Sequence, residues 1–138
     1  MVRTLPLRVI LDTNFLTVPA QFGVDVFSEA ERVLERSVEF ILLESVVDEI
    51  KAKLEKSGKT ESRMFRIALD LTERCKVVEI EQSMKDSLVD DQLLEYAVSV
   101  GGILATNDRE LRERAADRGV PVLILRGKKH LELQGSIF

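Results

Sequence analysis

Four acidic residues in this 138-residue chain stand where strand-like apolar runs give way to the next element: Asp12, Glu49, Asp90 and Asp108. Asp12 directly ends the run Arg8-Val9-Ile10-Leu11 and opens Asp12-Thr13-Asn14. Glu49 lies in the first turns of a helical segment after Phe40-Ile41-Leu42-Leu43. Asp90-Asp91 opens a helical segment after Val77-Val78-Glu79-Ile80, and Asp108 follows Ile103-Leu104-Ala105 through Thr106-Asn107. Carboxylates gathered without histidine or cysteine make an oxygen site for a hard divalent cation, Mg²⁺ or Mn²⁺. With one or two such ions the site could hold a phosphodiester, lower the pKa of a water and stabilise a leaving oxygen. Asn14, Thr13 and Thr106 are suited to orienting ligands or that water.

Acids near helix starts also have a purely structural use, since they cap free N–H groups and complement the dipole. Asp12 follows a strand directly and caps nothing evident in the sequence. Asp90, at about 100° per residue, projects onto the stripe of Leu93, Leu94, Ala97 and Val100. A carboxylate turned inward there is costly unless paired or bound to a metal. Asp91, a further step round the helix, is expected to reach water. Glu49 sits at the margin of the Val46, Val47, Ile50 and Leu54 stripe, leaning toward the cleft, while Asp48 faces away and is expected to cap with Ser45. Asp108, in the first turn after Asn107, suits both roles.

The elements that must position these acids alternate along the chain. Strands are expected at 8–11, 40–43, 77–80, 103–105 and 122–125. Pro19 and Gly23 punctuate a loop after the first strand. Helices are expected over about 25–36, from Ser45 to about Lys56, from Thr60 to about Arg74, through Leu93–Val100 to Gly101-Gly102, and from an Asn107/Glu110 capping box to Arg118. The tail from Gly127 to Phe138 is expected to pair at a sheet edge or pack on a helix. Wholly apolar strands alternating with helices indicate an α/β fold: one domain over 1–138, three layers α/β/α, with a central parallel sheet of about five strands. In such sheets ligands bind beyond the carboxyl ends of the strands, which is where the four acids fall.

Composition narrows the class. Hydrophobic residues at 45% and charged residues at 32% suit a globular core rather than disorder. The apolar runs are too short to cross a bilayer, and no basic-then-apolar leader opens the chain, so a cytoplasmic protein without membrane partners is expected. One cysteine, Cys75, excludes an internal disulfide and a cysteine-rich zinc site. A net charge of −4 speaks against a nucleic-acid coat protein, but an acidic metal site would itself supply several of those charges. There is neither a P-loop lysine motif nor a Gly-rich dinucleotide fingerprint.

Leu11-Asp12-Thr13-Asn14, Val47-Asp48-Glu49-Ile50, Asp90-Asp91-Gln92-Leu93-Leu94 and Ala105-Thr106-Asn107-Asp108-Arg109-Glu110-Leu111 together resemble the PIN-domain nucleases, in order and spacing. The last segment, with Gly119-Val120-Pro121-Val122, is especially similar to archaeal members related to VapC toxins and ribosomal-RNA processing nucleases. The resemblance implies a Mg²⁺- or Mn²⁺-dependent endoribonuclease leaving a 5′-phosphate and a 3′-hydroxyl, a sheet of order 3-2-1-4-5, and frequent homodimers. It implies RNA as substrate and an antitoxin or ribosome-assembly partner. Asp12, Glu49, Asp90 and Asp108 match the family's acidic quartet, and Asn14 and Thr106 match its supporting polar positions. Glu110 stands where many members carry a further Asp.

Other residues are weaker candidates. His130 lies in a basic tail and is expected to be a solvated surface residue. Arg109, Arg112, Lys51, Lys53 and the 126–130 run suit either RNA phosphates or an ordinary solvated face. Cys75 has no histidine beside it to activate it. Among rival readings, an aspartyl-nucleophile phosphohydrolase wants a second Asp where Asn14 stands, and a phospho-receiver wants its Asp after strand 3. A PIN-like binding module without catalysis, in ribosome assembly or partner docking, is the alternative from a different class.

Overall fold

The computed structural model describes residues 5–137; Met1–Thr4 and Phe138, the ends of the opening segment and of the tail, lie outside it. Six strands form one sheet: β1 (Leu7–Leu11), β2 (Val38–Leu43), β3 (Lys76–Val78), β4 (Ile103–Ala105), β5 (Val122–Arg126) and β6 (His130–Gln134). Their order is β3-β2-β1-β4-β5-β6, so the 3-2-1-4-5 order is present and the tail adds a sixth strand. All neighbours run parallel except β6, which pairs antiparallel with β5 at the edge. A three-residue turn, Gly127 to Lys129, with Gly127 and Lys128 at positive φ lets the chain reverse there, which a parallel crossover could not do in so short a span.

Helices α1 (Thr13–Phe22), α2 (Val26–Leu34), α3 (Glu44–Lys56) and α4 (Lys59–Leu71) pack together on one face; α5 (Val89–Val100) and α6 (Arg109–Asp117) pack on the other. Right-handed crossovers force this split. The chain moves one way across the sheet from β1 to β3, then returns to β4 and β5, so the connecting helices change sides. Strands covered on both faces must be apolar throughout, and Val9–Leu11, Phe40–Leu43 and Ile103–Ala105 are all buried.

Local physics corrects several expectations. The expected loop after β1 is helix α1, in spite of Pro19 inside it. Phe15, Leu16, Thr17 and Val18 are all buried there, so packing outweighs the one backbone bond that Pro19 removes. Helix α3 follows β2 without a side-chain cap, and Ser45 and Asp48 do not form the expected capping pair; the Ser45 hydroxyl is buried without a partner. Helix α4 starts from Gly58 rather than from a Thr60 cap, and ends at Leu71 before a short 3₁₀ turn over Thr72–Arg74. Strand β3 is shorter than expected and begins one residue earlier.

Gly101 closes α5 with a left-handed residue, and Gly102 then leads into β4 close against β1. A Cβ at Gly102 would lie 2.5 Å from Ile10 Cδ1 and 3.1 Å from the Arg8 carbonyl oxygen. Gly102→Ala is therefore expected to lower stability by about 1–3 kcal/mol through overpacking, read as an earlier midpoint in urea unfolding with an unchanged slope. An unshifted midpoint would show that Ile10 yields at no cost.

Candidate active site

The strand order reverses between β1 and β4, where the connections leave to opposite faces, the place at which open parallel sheets bind ligands. Leu11 and Ala105 are the last paired residues there, so the next step along each strand brings Asp12 beside Thr106. Asp12 is 7% exposed and Thr106 is fully buried. The Thr106 hydroxyl donates to Asp12 Oδ2 and accepts the Asp108 backbone N–H at 3.1 Å. One hydroxyl thus joins the ends of the two strands and fixes the first residue of the turn into α6.

Asp12 also caps α1, accepting the Phe15 N–H on Oδ1 at 2.9 Å, contrary to the expectation that it caps nothing. Capping and burial together leave this carboxylate immobile. Burial raises its pKa from the ordinary 3.8 to about 6, against the lowering effect of its two hydrogen bonds, and the charges of Asp90 and Asp108 push the same way.

Asp108, exposed, is the N-cap of α6 and accepts the Leu111 N–H at 2.8 Å, so the capping box expected from Asn107 is displaced by one residue. Asn107 instead accepts the Leu125 N–H at 2.8 Å and extends the join between β4 and β5.

Asp90, expected to turn inward, is exposed in the first turn of α5. Its pKa is nevertheless raised, first by partial burial of the carboxyl group and then by Asp108, with smaller contributions from Glu49 and Asp91 opposed by Arg114. Asp91 reaches water as expected, though it is half-buried and accepts from Arg114 Nη2. Glu49, half-buried on α3, has Lys53 Nζ 3.5 Å away, while Asp48 is exposed.

Asn14 is exposed in the first turn of α1, and its carbonyl accepts from Thr17. The Thr13 hydroxyl is buried without a partner, like that of Ser45. Both stand at the starts of helices that follow β1 and β2, and Ser45 was not singled out beyond its expected cap. Cys75 lies away from this edge, half-buried, with its thiol pushed up to about 12 by burial, and is inert at neutral pH. His130 is exposed at the start of β6.

Mutual pKa effects therefore link Asp12, Asp90 and Asp108, and link Glu49 to Asp90. The donors are all oxygens, and the two raised pKa values show acids that a nearby cation would relieve, so the residues fit a hard divalent ion. Among the described residues, however, no three His, Cys, Asp or Glu side chains are gathered closely enough to hold a metal as they stand.

Comparison with known proteins agrees with this fold. Residues 9–128 match the family described as PIN like domain. Ribonuclease VapC4 of Methanocaldococcus jannaschii is 29% identical over 134 residues, covering 94% of this chain and 98% of that protein. Ribonuclease VapC9 of Archaeoglobus fulgidus is 35% identical over 123 residues, covering 88% and 85%. The solved structure of the PIN domain endonuclease Utp24 superposes with a TM-score of 0.76 at 26% identity, covering 96% of this chain and 94% of its own. VapBC2 from Rickettsia felis, bound to a DNA fragment from its promoter, shares the fold at 16% identity and a TM-score of 0.57 over 78% of this chain and 92% of the other. With a match that runs over residues 9–128 and the sheet order already described, this chain belongs to the PIN-like domain family.

Proposed function

We propose that this chain is a Mg²⁺- or Mn²⁺-dependent endoribonuclease, with Asp12, Glu49, Asp90 and Asp108 as metal ligands. The observation that carries the reading is the placement of Asp12 and Asp108 at the switch point, joined through the Thr106 hydroxyl, with Asp12 held up at about 6 chiefly by burial and Asp90 raised by burial and by Asp108. Perturbed carboxylates gathered at such a place mark a functional site. The ribonuclease names of the two archaeal relatives support RNA as the substrate.

In this reading a divalent ion held by Asp12, Glu49, Asp90 and Asp108 would supply charge neutralisation for the phosphate and a lowered water pKa, so that hydroxide is available at neutral pH. The chain's own residues do the rest. Asp12 is fixed by Phe15 and Thr106, so its carboxylate presents one orientation. Asp108 is held through its backbone N–H and its cap. Asn14, exposed beside Asp12 in sequence, orients substrate or water, and Thr106 positions Asp12. Cleavage by water then leaves a 5′-phosphate and a 3′-hydroxyl. The chain acts as one domain in the cytoplasm, and a VapB-like antitoxin or a ribosome-assembly complex is its partner class, with a homodimer as the working form.

Mn²⁺ is expected to switch on cleavage of single-stranded RNA, and Asp90→Asn to lower the rate by about 1000-fold, the loss of roughly 4 kcal/mol of transition-state stabilisation. Circular dichroism should show the fold retained, since Asp90 is exposed. Undiminished cleavage by Asp90→Asn, or equal cleavage in excess chelator, would contradict the reading.

A further inference from the structure

Helices α5 and α6 lie side by side and start at the same edge of the sheet, α5 carrying Asp90 in its first turn and α6 capped by Asp108. Two ion pairs cross between them. Arg114 Nη2 donates to Asp91 Oδ1, and Arg118 Nη1 donates to Glu95 Oε1 at 2.6 Å, with Nη2 at 3.5 Å from Oε2. Both acids sit one turn apart on α5, and both arginines are one turn apart at the end of α6, so the pairs form two rungs of a ladder. The first rung grips the residue next to Asp90.

The apolar side chains of both helices, Leu93, Leu94 and Ala97 on α5 and Leu111 and Ala115 on α6, are buried and hold each helix to the sheet. At the edge itself, Asp90 and Asp108 are like charges, each at the start of its helix. The ladder ties the two helices to each other directly, from Asp91 onward. Its four side chains are 38–46% exposed, so as surface ion pairs they add little to global stability. A metal site, by contrast, depends on ligand placement to about 0.5 Å.

We propose that Arg114 and Arg118 are positioning residues: through Asp91 and Glu95 they set the separation of Asp90 and Asp108, and with it the affinity for the divalent cation. This rests on the reading of these acids as metal ligands. It also gives Asp91 a task other than ligation, as the anchor that keeps Asp90 in place.

The far rung provides the test, because its charges lie a turn further from the carboxylates. Mn²⁺ binding to the full chain is measured by calorimetry without RNA, alongside metal-free melting and cleavage kinetics. Glu95→Arg and Arg118→Glu are each expected to weaken Mn²⁺ binding by about 10-fold, the effect typical of residues that hold ligands from behind. The double swap Glu95→Arg/Arg118→Glu should return it to within about twofold by rebuilding the rung. Arg114→Lys, keeping charge but losing the guanidinium fork, should fall between wild type and the single variants. Metal-free melting should stay within about 2 °C throughout, as for exposed pairs, and kcat at saturating Mn²⁺ should be close to wild type. If the single variants bind Mn²⁺ like wild type, or the double swap remains as weak as they are, the inference falls while the metal-site reading stands. If wild type binds no Mn²⁺, both fall.

Discussion

Asp12→Asn is expected to abolish cleavage while leaving the metal-free protein as stable as wild type or more so. Asparagine keeps an oxygen for the Phe15 N–H, so the cap of α1 survives. What it removes is a buried charge. In the folded protein Asp12 titrates at about 6 rather than 3.8, so between these values the fold binds a proton that the unfolded chain has released. Stability therefore falls as pH rises through that window, by about 3 kcal/mol at most, and stays lowered at pH 7. Asp12→Asn should lose this pH dependence and gain up to that amount at pH 7, reduced by the amide's poorer match to the Thr106 hydroxyl. Cleavage should drop by about 1000-fold or more, because a ligand charge is gone. Urea unfolding at pH 4.5 and pH 7, run beside the cleavage assay, checks both halves. A variant that is less stable than wild type at pH 7 would mean that the carboxylate is needed by the fold.

Thr106→Val is expected to be the most damaging change outside the acids. Valine matches the volume of a fully buried side chain but removes the hydroxyl that donates to Asp12 and accepts from the Asp108 N–H. A buried carboxylate and a backbone donor then lose their partner together, which should lower stability by about 1–3 kcal/mol. With its hydrogen bond gone and burial unchanged, Asp12 should titrate higher still, and the acid limb of the cleavage profile should move to higher pH. A fall of about 10–100-fold in cleavage at neutral pH is expected for loss of such a support. Thr106→Ser keeps the hydroxyl and should recover most of the rate. Equal rates for Thr106→Val and wild type would show that Asp12 needs no help to hold its orientation.

These two residues also show where the sequence speaks clearly and where it does not. Strand runs such as Val9–Leu11 and Phe40–Leu43 are legible because a strand covered on both faces must be apolar at every position. Once the strands are placed, the acids at their carboxyl ends follow, while the strand order that sets the switch point comes from the family resemblance. Helix α1 is not legible, because it is buried along Phe15–Val18, shows no polar face in that stretch, and contains Pro19. Missing that helix hid the capping role of Asp12. Helical projection misplaced Asp90, because in the first turn of α5 the buried residue is Gln92, whose amide donates to the carbonyls of Met84 and Ser87 in the preceding loop. The one-residue error at Asn107 has a similar origin: Asn and Asp are nearly equal as caps, and only the Leu125 N–H decides between them. The Arg114 and Arg118 rungs lie 23 residues from their partners, beyond the reach of any local pattern.

The central claim is that the switch point beyond β1 and β4 holds a divalent cation on this quartet of acids. Anomalous diffraction from crystals soaked in Mn²⁺ tests it most directly. The account predicts a strong peak bounded by Asp12, Asp90 and Asp108, with Glu49 at its edge, and no such peak in Asp12→Asn crystals. No peak among these acids, or one that persists undiminished in Asp12→Asn, would contradict it.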